Sequence, residues 1–373
     1  MGRTLEGVGK PEISISDNEA NKVIGMVEKE FSIKSTNLNY DKIEIYCELE
    51  GNIENKFNKI LSKLKRTGFI PFLEKEEGKG KITIKRYREP SIEASKKHYI
   101  LFFATIITTL VAGAIMFGID VFSNPLQIWK GWPFSISIML ILGMHELGHY
   151  LLSKKRGVAA TLPYFIPVPP PFILGTLGAV IRTKSPMPNK KALFDIGAAG
   201  PLVGIVFAIP VTLVGLSLSP ITISTDGGLI ELGRPLIYQA LTYLVPVGEG
   251  GLHPVAFAGW VGFFVTFLNL LPVGQLDGGH IVKSLLGDMH EYISSSVPII
   301  LLALGFYFIG LTDSGGEIWI FWGFITLFFN SAGHPPPLND VTTPDLKRKL
   351  LGVLVYIVFL ACFTPVPFRI TGA

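Results

Sequence analysis

The amino-acid sequence predicts a polytopic α-helical membrane protein of about six or seven spans, with a small soluble α+β domain at its N-terminus. Three observations point there. Several apolar runs approach or exceed the roughly 20 residues that cross a bilayer as a helix. Charged residues make up 17% of the 373, below the about 25% usual in soluble domains. The charge is also uneven: Lys and Glu crowd residues 1–97, whereas Leu, Ile, Val, Phe, Gly and Pro dominate 98–373. That shift divides the chain into a soluble head, 1–97, of accessory or regulatory character, and a membrane body, 98–373.

Within the head, Asp17 is placed to cap a helix from about Asn18 to Phe31, with Val23, Met26 and Val27 on one face. Residues 43–49 (IEIYCEL) alternate strictly and predict a half-buried strand. Ile53, Phe57, Ile60, Leu61 and Leu64 recur at helical spacing, and Gly68 follows as a stop signal. Two strands, 69–73 and 81–87, are expected around the polar turn 74–80. No catalytic constellation stands among these residues.

In the body the expected spans are Tyr99–Phe122, Pro133–Leu152, Ala192–Leu218, Pro254–Leu276, Ile293–Leu311, Ile318–Phe329 and Leu350–Phe363, some of them half-helices. Basic residues gather before the first span (Lys85, Arg86, Arg88, Lys96, Lys97), between the second and third (Lys154, Lys155, Arg156, Arg182, Lys184, Lys190, Lys191) and before the last (Lys347, Arg348, Lys349). The stretches after the first and third spans hold only Lys130 and Arg234, and the one after the fifth holds none. By the positive-inside rule, the head and the loop after the second span are cytoplasmic.

A formal charge of +4 gives no reason to invoke nucleic acid. Cys47 and Cys362 form no disulfide framework and lack metal-site spacing. The first twenty residues, MGRTLEGVGKPEISISDNEA, hold no apolar core, so the first membrane segment is expected to direct insertion. Oligomeric state is left open.

The chemistry centres on residues 143–150, GMHELGHY, inside the second span. Successive residues rise 1.5 Å along a helix, so His145 and His149 lie one turn apart on one face, where both imidazoles can reach a single ion. Glu146 is displaced around the helix, beside that ion, where it can take a proton from an attacking water and pass it to a leaving amine. Solvated surface histidines are the plain alternative. Lipid-suited neighbours, residues 135–144 (SISIMLILGM), argue against it, because two His and a Glu there cost several kcal/mol unless paired or bound.

Catalytic zinc sites usually take three protein ligands and keep an open position. The third is sought in residues 269–280, NLLPVGQLDGGH, at the end of the fourth span. Asp277 is the leading candidate, an oxygen ligand held where Pro272 and the Gly278-Gly279 pair interrupt regular helix. His280 and Asn269 are further candidates. The competing role for Asp277 is that of a capping residue beside a turn.

H-E-L-G-H in one membrane segment and N-x-x-P-x-x-x-L-D-G in a later one resemble the site-2 protease family of intramembrane metalloproteases. Both motifs stand without departure, at His145, Glu146 and His149, then at Asn269, Pro272, Leu276, Asp277 and Gly278. The resemblance covers about residues 98–335. It implies one zinc ion per chain held by His145, His149 and Asp277, with Glu146 as catalytic base. It also implies cleavage of membrane-anchored protein substrates in contact with membrane lipid. No PDZ-type insertion is recognised.

Three further features accompany the motifs. Gly197, Gly200 and Gly204 allow two backbones to approach closely; the plain reading is tight helix packing, and the family has a similar Gly-rich segment beside its core. Residues 163–178, apolar and carrying Pro163, Pro167, Pro169, Pro170, Pro171, Gly175 and Gly178, cannot be helical. A re-entrant loop or strand is expected, whose free edge holds an unwound substrate. His334 stands near the end of the sixth run, where a lone His is ordinarily solvated. Two other functions compete: a transporter with a midplane ion site, and an inactive zinc-binding scaffold. A transporter of that kind predicts repeated halves, yet neither motif has a second copy; a scaffold leaves Glu146 without purpose.

Overall fold

Ser16 opens the first helix of the computed structural model, which describes residues 15–91, 95–219, 230–245, 251–312, 315–331 and 333–370. Residues 1–14 of the stretch read for a leader lie outside these. The described residues group into two compact units.

The first unit comprises the chain up to Pro90, joined by Pro186–Lys190 and Pro336–Thr343. Its elements are α1 (Asp17–Glu28), β1 (Ile33–Leu38), β2 (Lys42–Cys47), α2 (Ile53–Arg66), β3 (Phe69–Glu76) and β4 (Lys79–Arg86). The helix cap is Ser16, not Asp17: its side chain accepts from the Glu19 amide while Glu19 reaches back to the Ser16 amide, a capping box. The four strands form an antiparallel sheet in the order β1-β2-β4-β3. Ile43, Ile45 and Cys47 of β2 and Ile82 and Ile84 of β4 are buried with Val23 and Val27 of α1 and with Phe57, Ile60 and Leu64 of α2. Pro71 is tolerated because β3 lies at the sheet edge. Beyond Leu73 that edge is continued by residues 336–343. The Leu73 amide donates to the Leu338 carbonyl (2.7 Å) and the Asp340 amide to the Leu73 carbonyl (3.0 Å), with the Leu338 side chain 1% exposed in the core.

The second unit holds α3 (Lys96–Met116), α4 (Trp132–Lys155), β5 (Tyr164–Pro167), β6 (Thr176–Val180), α5 (Lys190–Ser217), β7 (Ile230–Leu232), α6 (Leu236–Thr242) and α7 (Pro254–Asn269). It continues through α8 (Asp277–Leu286), α9 (Met289–Thr312), α10 (Glu317–Ser331), α11 (Leu346–Cys362) and β8 (Phe368–Ile370). Among the described residues, four helical segments are long and apolar enough to cross a membrane: Lys96–Met116, Pro125–Lys155, Lys190–Ser217 and Met289–Leu311. The apolar helices α7, α10 and α11 are shorter, at 16, 15 and 17 residues. Two expected spans are therefore revised. The first stops at Met116, turns through Gly118 (φ +75°), and enters α4 by a 3₁₀ turn, Pro125–Gly131. The fourth stops at Asn269, and a new helix begins at Asp277.

Polarity is reversed relative to a soluble protein. Phe103 and Ile107 on α3, Ile299 and Phe306 on α9, Phe324 and Phe328 on α10 and Leu350 and Ile357 on α11 are all exposed. Inside lies α7, whose Trp260, Phe263, Phe264 and Phe267 are buried against Phe134, Ile138 and Ile141 of α4, Trp319 of α10 and Cys362 of α11. Some buried hydroxyls return their bonds to backbone carbonyls one turn back, as Thr212 does to Ala208 (2.7 Å) and Thr266 to Gly262 (2.8 Å), which gives each an acceptor where no water reaches.

Candidate metal centre

Helix α4 carries His145, Glu146 and His149 inward, each less than a tenth exposed. The first residue of α8 brings Asp277 to the same point. His145 Nε2 and His149 Nε2 stand 3.1 Å apart, and Asp277 Oδ2 lies 3.3 Å from the first and 3.2 Å from the second. This is the only grouping of three such donors found among the described residues. Ligands about 2.0–2.1 Å from a tetrahedral zinc stand about 3.3 Å apart, so the three donors fit such an ion.

Neighbouring backbone fixes the donor atoms. His149 Nδ1 lies 2.7 Å from the Ile196 carbonyl of α5, an N–H···O bond that leaves the Nε2 lone pair facing the group. Helix α5 comes this close because of its glycines. A Cβ at Gly200 would overlap the His149 ring, one at Gly204 would stand 3.1 Å from His145 Nδ1, and one at Gly197 would stand 2.9 Å from the His280 Cβ. The tight packing these glycines allow is what brings α5 against the donor group.

Asp277 is positioned by the break between α7 and α8. Pro272 lies in this seven-residue turn, and Gly274 takes φ +50° while its amide donates to Ser294 Oγ (2.9 Å). Gly278 and Gly279 abut the carbonyls of Leu270 and Gly274, leaving no room for a side chain at either position. The turn thus folds beneath the start of α8 and leaves Asp277 at a helix N-terminus, favourable for a carboxylate. Asn269, the last residue of α7, sits at the same group with its amide nitrogen 3.3 Å from His145 Nε2.

Sequence reasoning missed the partner of Glu146. Glu146 Oε2 accepts from the Ile181 amide at 3.0 Å, and Ile181 directly follows β6. No residue type marks a backbone N–H as functional, so nothing in the sequence signals it. The Pro-rich segment is a β-hairpin, with Tyr164 opposite Val180 and Pro167 opposite Thr176. Gly175 (φ +68°) turns the chain against Thr108 and Thr109 of α3, and Gly178 (φ +97°) lies in β6 with open space around it. Neither glycine touches the donor group.

Residues 133–311, containing every donor just described, match the family model of peptidase family M50, the site-2 protease family. Over that stretch, just under half of the chain, it is similar to peptidase family M50. Outside the matched residues lie most of the first unit, α3, α10, α11 and β8. Relatives include a probable zinc metalloprotease EGY2, chloroplastic, of Arabidopsis thaliana, 28% identical over 264 residues, covering 68% of this chain and 45% of the relative. A probable zinc metalloprotease EGY1, chloroplastic, of Oryza sativa subsp. japonica is 33% identical over 249 residues, covering 63% of this chain and 40% of the relative. Its Arabidopsis thaliana counterpart is 32% identical over 243 residues, covering 61% and 42%. The chain thus spans less than half the length of these relatives. No solved structure matches the chain significantly.

Two further histidines stay apart from this donor group. His280 faces His334, with Nδ1 and Nε2 2.6 Å apart.

Proposed function

We propose that this chain is an intramembrane zinc metalloprotease that hydrolyses peptide bonds in or beside the transmembrane segments of membrane-anchored proteins. The observation that carries this reading is a buried carboxylate, Glu146, fixed beside a three-donor group that fits zinc. His145, His149 and Asp277 would hold the ion, which when bound supplies Lewis-acid activation of water and polarisation of the scissile carbonyl. With Oε2 engaged by the Ile181 amide, Glu146 receives the proton of the attacking water on Oε1 and delivers it to the departing amine nitrogen. The Ile181 bond orients the carboxylate for both transfers. Exclusion of bulk water by α5 and α7 strengthens each electrostatic contact.

The hairpin β5–β6 is a two-stranded sheet, so its outer edges are available to an extended segment. A substrate helix hides its carbonyls in hydrogen bonds and must unwind locally before it can be cut. Pairing with a strand edge would replace the lost bonds, and the Ile181 link sets that hairpin at the catalytic carboxylate.

Seven membrane crossings, by α3, α4, α5, α7, α9, α10 and α11, with the head cytoplasmic, are supported by two observations. Residues 186–190 and 336–343, from the α4–α5 and α10–α11 connections, belong to the head unit. Strand β7, between α5 and α7, pairs with β8, after α11. Both follow from an odd number of crossings with the basic loops on the side of the head.

The test is Glu146→Gln in the full chain, reconstituted in liposomes with fluorogenic single-span peptides bearing a Gly or Pro near the middle. Zinc content is expected to stay at the wild-type level while cleavage falls about 10²–10⁴-fold. Equal cleavage by wild type and Glu146→Gln would refute the protease.

A further inference from the structure

A second cluster of imidazoles lies on the elements flanking the donor group. His280 is on α8, one helical turn beyond Asp277; His290 is in the first turn of α9; His334 lies just after α10. His280 Nδ1 and His334 Nε2 are 2.6 Å apart, and the His290 ring stands 5.2 Å from that of His334, centroid to centroid. Rings from α8, from the first turn of α9 and from the segment after α10 thus stand in contact, with His334 between the other two.

The His334 ring is set by its other nitrogen. Nδ1 lies 2.9 Å from the Pro335 carbonyl, and this N–H···O bond leaves a lone pair on Nε2, aimed at His280. It is the arrangement by which the Ile196 carbonyl turns His149 Nε2 towards the catalytic group. His290 supplies an independent sign. Its residue is 3% exposed, yet both ring nitrogens are buried without a hydrogen-bond partner. The Gly274 backbone approaches it without reaching hydrogen-bond geometry. Buried polar atoms are nearly always satisfied, and an imidazole left so beside two others is a ligand in waiting. His280 and His334 are only partly buried, so an ion can reach them.

We propose that His280, His334 and His290 form a second transition-metal site, distinct from the catalytic group, that takes a borderline divalent cation such as Zn2+. Neutral imidazoles select this class over Mg2+ or Ca2+, which need oxygen ligands. His280 and His334 converge at their ring nitrogens, and turning the His290 side chain towards them would complete the set. The site binds more weakly than the catalytic one for an electrostatic reason. It has no counterpart of Asp277 to offset the cation, and Lys283 stands near, paired with Asp288 at 3.6 Å. The second ion therefore binds only when zinc is in excess, and then ties the segment after α10 to α8 and to the start of α9.

The experiment is equilibrium dialysis of the full-length, tag-free protein in detergent against buffered Zn2+ over a rising concentration series, with zinc per chain read by mass spectrometry. Wild type is expected to fill in two steps, one ion and then a second. His334→Ala and His290→Gln should each retain the first step and lose the second, whereas Asp277→Ala should lose the tight step and keep the weak one. A wild-type plateau at one zinc per chain overturns the proposal, as does a second step that survives in both His334→Ala and His290→Gln. Failure of the catalytic assignment reads differently: Asp277→Ala would leave the first step intact, whatever the second does.

Discussion

At the scale of single residues, the centre depends as much on what is missing from α5 as on what α4 and α8 supply. Gly200 lies so near the His149 ring that a methyl group would overlap it. Gly200→Ala is therefore expected to weaken zinc binding about 10–100-fold, the effect usual for groups that support a metal ligand, whereas Gly310→Ala on α9, with open space around it, should change nothing. Zinc titration of the two variants checks this, and equal affinities would contradict it. His145, Glu146 and His149 stood out in the sequence because two imidazoles one turn apart and a carboxylate beside them are costly in a lipid-suited run, and Asp277 only through the search for a third donor. The structure brings the two histidines and Asp277 together. Ile181 did not stand out, since its contribution is a backbone N–H placed by a hairpin whose register depends on tertiary contacts.

Among the elements, the sequence was readable where period and burial agree. Strand β2 alternates because one face is buried, and α2 shows its core stripe for the same reason. Strand β1 escaped notice: five of its six residues are exposed, so it carries no alternation to read. Hydropathy also placed the end of α7 too late, because residues 270–276 are mostly apolar although Pro272 and the positive φ of Gly274 forbid helix there. Strand β2 gives a prediction of its own. Cys47 is fully buried, and burial pushes its thiol up to about 11, so it stays protonated and shielded near neutral pH. Iodoacetamide at pH 8 should leave Cys47 unlabelled in the folded chain and modify it after denaturation, as peptide mass mapping would report; rapid labelling of folded protein would contradict the packing of the head.

For the whole molecule, the first compact unit takes in Pro336–Thr343, with Leu338 buried in its core, and no local pattern in the sequence announces a contact at that separation. Proposed crossings make the sidedness of the loops testable. In sealed vesicles, a membrane-impermeant maleimide should label Ser123→Cys and Arg234→Cys from one side and Lys184→Cys from the other; all three reacting from one side would contradict seven crossings. The central claim is that helices distant in sequence share one zinc ion. Its most direct test is the zinc content of the purified full-length protein after dialysis against zinc-free buffer, compared with His149→Ala and Asp277→Ala. About one tightly held zinc per wild-type chain, lost from both variants, is the predicted result. A folded wild type without zinc, or variants that keep it, would contradict the claim.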